Sequence, residues 1–158
     1  MAASQTVSLT LDNPDDTANL AVELGARLTP GDTLLLEGSV GAGKTHFARA
    51  LIQSLLPLPE DVPSPTFTLV QTYELAQSDI WHADLYRLTS TSEIEELGLL
   101  AAFETDICLI EWPDRLGDLR PTQALTLQFA DGEVEDQRLL TLHWSDPKWT
   151  DKLEGLAA

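Results

Sequence analysis

Apolar and polar residues change their period several times along the chain, and each change predicts a different element. Residues 5–11 alternate apolar and polar side chains, which predicts a strand with one buried face. Residues 33–37 and 107–111 are short apolar runs, typical of strands that are buried on both faces. Residues 17–28 and 44–56 carry apolar side chains at helical spacing. Strands interleaved with helices in this way predict an α/β protein.

The middle and the end of the chain predict strands that pair in the antiparallel direction. Segments 66–75 and 79–88 are rich in β-branched and aromatic residues and predict a hairpin, and the alternating segments 124–130 and 138–144 predict a second strand pair. The sheet is therefore expected to be of mixed direction. The other predicted segments are a turn at 12–16 that offers Asp15, Asp16 or Thr17 as a helix N-cap, loops at 57–63 and 113–121, a helix over 92–102 with an irregularity at Gly98, and a tail over 145–158 that is a short helix or partly disordered.

The turn between residues 33–37 and 44–56 carries the most specific chemistry. It contains GSVGAGKT at residues 38–45, which fits the P-loop pattern G-x-x-x-x-G-K-[ST] between a buried strand and an amphipathic helix. Backbone N–H groups of such a loop curl around phosphates, the lysine reaches the β- and γ-phosphates, and the hydroxyl ligates Mg²⁺. We therefore predict one P-loop NTPase-like domain over 1–158, with a mixed sheet flanked by helices. The predicted nucleotide-binding residues of this loop are Ser39, Val40, Gly41, Ala42, Gly43, Lys44 and Thr45.

Two carboxylates stand at the predicted ends of buried strands, where ligands of open α/β sheets bind. Asp84 ends the segment IWHAD and Glu111 ends ICLIE. Both are predicted catalytic residues together with Lys44, and predicted Mg²⁺ ligands together with Thr45. Which of the two positions the attacking water stays open at this point. His82 shares a strand face with Asp84, and either a proton relay or a structural histidine fits that position.

Composition and charge narrow the classes of protein that fit the chain. Among 158 residues, 26 are Asp or Glu and 9 are Lys or Arg, a formal net charge of −17 that disfavours a lone, sequence-independent nucleic-acid binder. The single cysteine, Cys108, excludes an intramolecular disulfide and a Cys-based zinc site. We find neither signal-peptide features nor an apolar run long enough to span a bilayer, so a cytoplasmic protein without a membrane partner is expected.

The choice of nucleotide and reaction rests on weaker signals. The chain has no N-K-x-D segment of the kind that guanine-specific switches carry, which favours ATP over GTP. Its arginines form no cluster suited to a kinase lid, although Arg87 or Arg138 is available for a single contact with the phosphates. A slow or partner-stimulated ATPase is therefore favoured. A nucleotide-sensing switch with little hydrolysis and a small-molecule kinase remain the alternatives.

Four segments, in this order, resemble the bacterial TsaE family: GSVGAGKT, SPTFTLV, HADLYRL and IEWPDRL. The resemblance covers residues 15–144. It implies a P-loop fold of mixed strand direction and an ATPase, with ATP and Mg²⁺ as cofactors, in the machinery that makes threonylcarbamoyladenosine at position 37 of tRNA. The implied partners are the proteins TsaB and TsaD, through which the chain would reach tRNA only indirectly.

The resemblance also assigns roles to single residues. It places Glu111 beside Mg²⁺, makes Asp84 an essential acid, sets Thr66 in a switch-like segment, and brings Trp112 and Arg138 close to the nucleotide. Two positions depart from the family pattern. Ser39 stands where the family commonly has Asp and His46 where it commonly has Thr. Phosphate affinity is expected to survive, because backbone N–H groups hold the phosphates, whereas the missing acid is expected to affect the bracing of the loop or its contact with a partner.

Overall fold

The structure, a computed structural model, describes residues 4–38, 43–57, 60–62, 70–88 and 90–156. Strands and helices alternate along the first half of the chain, as the hydrophobic pattern predicts. The strands are β1 Gln5–Leu11, β2 Thr33–Glu37, β3 Val70–Glu74, β4 Asp79–Asp84, β5 Ile107–Glu111, β6 Leu125–Asp131 and β7 Arg138–Trp144. The helices are α1 Pro14–Gly25, α2 Lys44–Leu55, α3 Thr91–Leu97, α4 Leu99–Thr105 and α5 Pro147–Lys152, with a 3₁₀ helix at Pro113–Leu119.

The seven strands form one mixed sheet in the spatial order β1-β7-β6-β2-β5-β4-β3. Strand β2 lies in the middle and pairs in parallel with β5 and β6, and β4 pairs in parallel with β5. Strands β3, β7 and β1 join in the antiparallel direction. The predicted mixed α/β fold is therefore confirmed. The carboxyl ends of β2, β4, β5 and β6 meet at one edge of this sheet, which is where the candidate site lies.

Two hydrophobic cores cover the two faces of the sheet. Successive residues of a central strand point to opposite faces, so Leu34 and Leu36 enter one core while Leu35 enters the other. The first core packs against α1 and α2 through fully buried side chains such as Leu24 and Phe47. The second packs against α3, α4 and the 3₁₀ helix. Burial on both faces explains why the central strands are continuous apolar runs in the sequence.

Helix α1 begins and ends earlier than its hydrophobic spacing predicts. The prediction of Asp15, Asp16 or Thr17 as N-cap is wrong, because Asn13 caps the helix by accepting a 2.9 Å hydrogen bond from the backbone N–H of Asp16. Proline at the next position fits the first turn, where its missing N–H has no intrahelical partner to lose. The α-helix ends at Gly25 instead of residue 28, and tighter turns continue the chain.

Other helix and strand boundaries differ from the predicted ones for local reasons. Gly98 takes a φ of +84° and divides the predicted helix over 92–102 into α3 and α4, so the predicted irregularity is confirmed. Strand β4 ends at Asp84 instead of residue 88 because the chain turns there, with Leu88 N–H donating to the carbonyl of Leu85. The predicted loop 113–121 contains the 3₁₀ helix, and the tail contains the short helix α5.

Candidate phosphate and metal site

Helix α2 begins at Lys44, directly after the carboxyl end of β2. Its N-cap, Gly43, has a φ of +105°, a conformation that side-chain-bearing residues rarely adopt and that a P-loop glycine supplies. The first turn of α2 therefore presents its backbone N–H groups at the edge of the sheet where the strands end. The predicted loop residues Ser39, Val40, Gly41 and Ala42, and Thr66 of the switch-like segment, lie outside the described residues.

The Lys44 ammonium is held close to the loop by two contacts. Its Nζ donates a 2.6 Å hydrogen bond to the carbonyl of Gly38 and lies 3.5 Å from the centre of the Trp112 ring. Lys44 is 5% exposed, and burial lowers its pKa, while the nearby carboxylates of Glu111, Asp84 and Asp114 act in the opposite direction. A positive charge is thus kept among three acids at the start of α2.

The Thr45 hydroxyl and Glu111 are joined directly, although they are far apart in the sequence. Thr45 Oγ1 donates a 2.8 Å hydrogen bond to Glu111 Oε1. The second carboxylate oxygen, Oε2, lies 2.7 Å from Nε2 of His82. Glu111 is 2% exposed and His82 is fully buried, so this three-residue chain is shielded from solvent on its inner side. The predicted loop hydroxyl and the predicted strand-end acid therefore meet in the structure.

Asp84 lies beside Glu111 because β4 and β5 are parallel and the two residues are partners in the register. Its Oδ1 accepts a 3.0 Å hydrogen bond from the backbone N–H of Tyr86. Burial raises the pKa of Asp84, and the neighbouring charge of Glu111 adds to this, while the Tyr86 hydrogen bond, Lys44 and His82 lower it. The two predicted carboxylates therefore stand side by side at the edge of the sheet.

Trp112 follows β5 in a left-handed backbone conformation, with φ 59° and ψ 55°. Such angles are uncommon for a bulky residue and occur where surrounding contacts impose them. The ring is held between Lys44 and Tyr86, whose ring centroid is 4.9 Å away. Tyr86 is 52% exposed, so this aromatic pair forms part of the open side of the site.

Arg138 lies on the other side of the loop, at the start of β7. A Cβ built on Gly43 would be 3.9 Å from Arg138 Nε, which puts the guanidinium next to the beginning of α2. The guanidinium also donates to the carbonyl of Gln137 and lies 3.7 Å from Asp131. The structure thus brings together Gly43, Lys44, Thr45, Asp84, Glu111, Trp112 and Arg138 around the carboxyl ends of the strands.

Three neighbours of the site were not assigned a role by sequence reasoning. His82 binds Glu111, and its only sequence signal is that it shares a strand face with Asp84. Tyr86 packs on Trp112, and Asp114 acts on the Lys44 charge. Both lie inside the motif segments HADLYRL and IEWPDRL, which is the sequence signal that could have found them. The departing residue His46 faces elsewhere, since its Nε2 donates a 3.0 Å hydrogen bond to the carbonyl of Pro14.

The donor set fits a magnesium ion better than a softer metal. The polar atoms are carboxylate and hydroxyl oxygens, which Mg²⁺ prefers, and Mg²⁺ sites commonly use one or two carboxylates together with substrate phosphates. Within the described ranges, no group of three or more His, Cys, Asp or Glu side chains is arranged to hold a metal by itself. Likewise, none of the described helices is long and apolar enough to cross a membrane.

This fold and this site define a P-loop domain of the α/β class: a buried strand, a glycine-rich turn, and a helix that begins with Lys and Thr beside strand-end carboxylates. The family model described as "Threonylcarbamoyl adenosine biosynthesis protein TsaE" matches residues 11–140. The chain belongs to the TsaE family. The resemblance drawn from its sequence motifs is thereby confirmed.

Relatives and a solved structure agree with this family. The chain is 39% identical over 144 residues to the tRNA threonylcarbamoyladenosine biosynthesis protein TsaE of Rickettsia bellii, covering 90% of this chain and 96% of that protein. It is 36% identical over 116 residues to the TsaE protein of Bacillus subtilis, covering 73% and 72% of the two chains. The crystal structure of Bacillus subtilis YdiB superposes with a TM-score of 0.79 at 25% identity, covering 99% of this chain and 97% of that one.

Proposed function

We propose that this protein is a Mg²⁺-dependent ATPase that supports the formation of N6-threonylcarbamoyladenosine in tRNA. The observation that carries the proposal is the meeting of the P-loop Lys44 and Thr45 with two strand-end carboxylates, through the 2.8 Å hydrogen bond from Thr45 to Glu111. Binding of a nucleotide and hydrolysis of its terminal phosphate are what such a combination performs in P-loop proteins.

The phosphates would lie against the first turn of α2. Its N-terminal N–H groups and the Lys44 ammonium are the positive groups available there, in a chain whose net charge is −17. Lys44 would exchange the Gly38 carbonyl for phosphate oxygens. Arg138 is close enough to the beginning of α2 to add one further contact. We infer ATP as the nucleotide, on the sequence argument against guanine specificity.

The residues that would hold Mg²⁺ are Thr45, Glu111 and Asp84. The ion would neutralise charge on the phosphates and help to orient them for in-line attack. Glu111 already accepts the Thr45 hydroxyl, which leaves the hydroxyl lone pairs for a cation. Asp84 is the second acid at this edge and a candidate for orienting the attacking water. Its carboxylate accepts a hydrogen bond from the backbone N–H of Tyr86, and burial raises its pKa.

The place in tRNA modification follows from the family and from the relatives, which are named tRNA threonylcarbamoyladenosine biosynthesis proteins. We propose TsaB and TsaD as partners and contact with tRNA only through them, in agreement with the strongly acidic composition.

Release of phosphate from Mg·ATP tests this proposal. The chain is assayed alone and then with TsaB, TsaD and tRNA, using Lys44→Ala and, as control, Arg27→Ala. Arg27→Ala also removes one positive charge, but Arg27 lies before the amino end of β2, away from the site. Its guanidinium donates hydrogen bonds to the carbonyls of Lys152 and Glu154. We expect release that rises with the partners, disappears in Lys44→Ala and persists in Arg27→Ala. Equal release by the wild type and Lys44→Ala would refute the proposal.

A nucleotide-sensing switch is the second candidate, favoured by the contact of Lys44 with Trp112. Since Lys44 contacts the Trp112 ring, and that ring packs on the exposed Tyr86, a shift of Lys44 toward bound phosphates would be passed on to this aromatic pair. Partner affinity is then measured with ATP, ADP and a non-hydrolysable analogue. A switch requires affinity to differ between these states, and equal affinity in all three eliminates it.

A further inference from the structure

We propose that His82 is a positioning residue that holds the Glu111 carboxylate in the orientation in which it accepts the Thr45 hydroxyl, and that it thereby sets the affinity of the site for Mg²⁺. The inference rests on the proposed function. It concerns a residue for which both a proton relay and a structural role fit the sequence, and the geometry points to neither.

The contact between His82 and Glu111 has a defined direction. An ionised carboxylate only accepts hydrogen bonds, so the 2.7 Å contact requires the hydrogen on Nε2 of His82. The Thr45 hydroxyl donates to the other oxygen at 2.8 Å. With one donor on each oxygen, the plane of the Glu111 carboxylate is fixed from two sides. Removing the His82 donor would leave only the Thr45 contact to orient it.

The imidazole ring is itself held rigidly. His82 lies in β4 between β3 and β5, opposite Gln71 on one side and Leu109 on the other, and it is fully buried. Such a position leaves the ring little freedom to follow a moving carboxylate. A carboxylate bound to this ring is therefore oriented by the sheet and not by solvent.

The second ring nitrogen argues against a purely structural histidine. In the part of the chain that the structure describes, Nδ1 of His82 is buried and has no hydrogen-bond partner. A buried polar atom without a partner is costly, so an apolar residue would fill the same space at lower cost. The hydrogen bond to Glu111 is thus the contact that a leucine could not replace. A proton relay would need a hydrogen-bond partner on Nδ1, and none is found among the described residues.

The consequence for the metal passes through Thr45. A hydroxyl has one hydrogen and two lone pairs, so the direction of its hydrogen decides where the lone pairs point. Glu111 takes that hydrogen, and His82 decides where Glu111 stands. Outer partners that orient metal ligands change metal affinity by about 10–100-fold when they are removed. We expect an effect of this size on Mg²⁺ and little effect on phosphate binding, which depends on Lys44 and the loop.

The test measures ATP affinity of the full chain in excess Mg²⁺ and in EDTA. His82→Leu removes the donor at similar volume, and His82→Gln keeps a donor near the Nε2 position. Ile80→Val is the matched control, because Ile80 is also fully buried on the same face of β4 but is paired with Ile107 at the start of β5, away from the strand ends that carry the site. We expect His82→Leu to lose about 10-fold or more of the Mg²⁺-dependent affinity, with affinity in EDTA within about twofold of wild type. His82→Gln should recover most of the loss and Ile80→Val should show none.

Two results would overturn the inference, and neither depends on turnover. One is Mg²⁺-dependent affinity in His82→Leu equal to that of Ile80→Val. The other comes from nitrogen chemical shifts of the ring in the wild-type chain, which also decide the case if His82→Leu does not fold. A hydrogen on Nε2 supports the contact with Glu111, whereas a ring protonated only on Nδ1 refutes it. If the wild type itself binds no Mg·ATP, the proposed function fails together with this inference; normal wild-type binding with unaffected His82 variants removes this inference alone.

Discussion

Replacement of Asp32 by asparagine is expected to destabilise the fold strongly without touching the site. The Asp32 side chain is 2% exposed, and its Oδ1 lies 2.9 Å from the ammonium of Lys148. Its Oδ2 accepts hydrogen bonds from Lys152 and, at 2.8 Å, from the backbone N–H of Thr29. This cluster joins the turn before β2 to helix α5. Asp32→Asn keeps the shape of the side chain, removes its charge, and sets an NH₂ group against an ammonium.

The expected loss in the free energy of unfolding depends on how far the two lysine partners of Asp32 can be rehydrated. Removing one partner of a buried ion pair costs about 3–5 kcal/mol when the other charge stays buried. The side chains of Lys148 and Lys152 are 30% and 20% exposed, so both can rehydrate in part. We therefore place the loss at the lower end, about 3 kcal/mol, which corresponds to a fall in Tm of about 6–12 °C for a chain of this length.

The dependence on pH separates the loss of charge from a change of shape. Burial raises the pKa of Asp32, but the hydrogen bonds from Lys152, Thr29 and Lys148 outweigh it, and the net pKa lies below the ordinary value of 3.8. The unfolded chain therefore binds the proton first as the pH falls. The stabilisation from ionised Asp32 is fully present above the unfolded pKa and is lost as the pH falls through the folded pKa.

Urea unfolding of the wild type, Asp32→Asn and Asp151→Asn between pH 3 and pH 7 checks this prediction. Asp151 is an exposed residue of α5, and its substitution is expected to change stability by less than about 0.5 kcal/mol. The gap between wild type and Asp32→Asn should be widest near neutral pH and should narrow below the ordinary carboxyl pKa. The reasoning is refuted by a gap under about 0.5 kcal/mol at pH 7, or by a gap that does not change with pH.

Two further predictions concern the edge of the site and the second core. Addition of Mg·ATP should alter tryptophan emission, because the Lys44 ammonium lies 3.5 Å from the Trp112 ring centre and bound phosphates would change the charge next to that ring. Trp112→Phe should abolish the change, and a response of equal size in that variant would contradict the prediction. Cys108 is fully buried, and burial raises its pKa to about 12. A thiol reagent should therefore not react with the native protein at pH 8 but should label it in denaturant. Rapid labelling of the native protein would contradict this prediction and show that β5 is accessible.

Local sequence rules account for most of the elements and for the position of the site. Continuous apolar runs predict β2 and β5, because a strand covered on both faces has no polar side. The glycine-rich turn before Lys44 predicts a phosphate loop, because that pattern depends only on neighbouring residues. The strand-end positions of Asp84 and Glu111 could be predicted in the same way. The N-cap of α1 could not, because Asn13 and the three residues first considered all have side chains that can cap.

What the sequence by itself determined is therefore the class of the protein and the residue types at its site, since both follow from local periodicity and from a contiguous motif. Only the tertiary structure decided which residues touch. Thr45, His82 and Glu111 come from three elements. The parallel pairing of β5 with β4 and with β2, which α2 follows, brings them together. The same holds for Lys44 on Trp112 and for Asp32 between two lysines of α5. Contacts across such distances in the sequence depend on strand order and register, which leave no mark in the spacing of the residues.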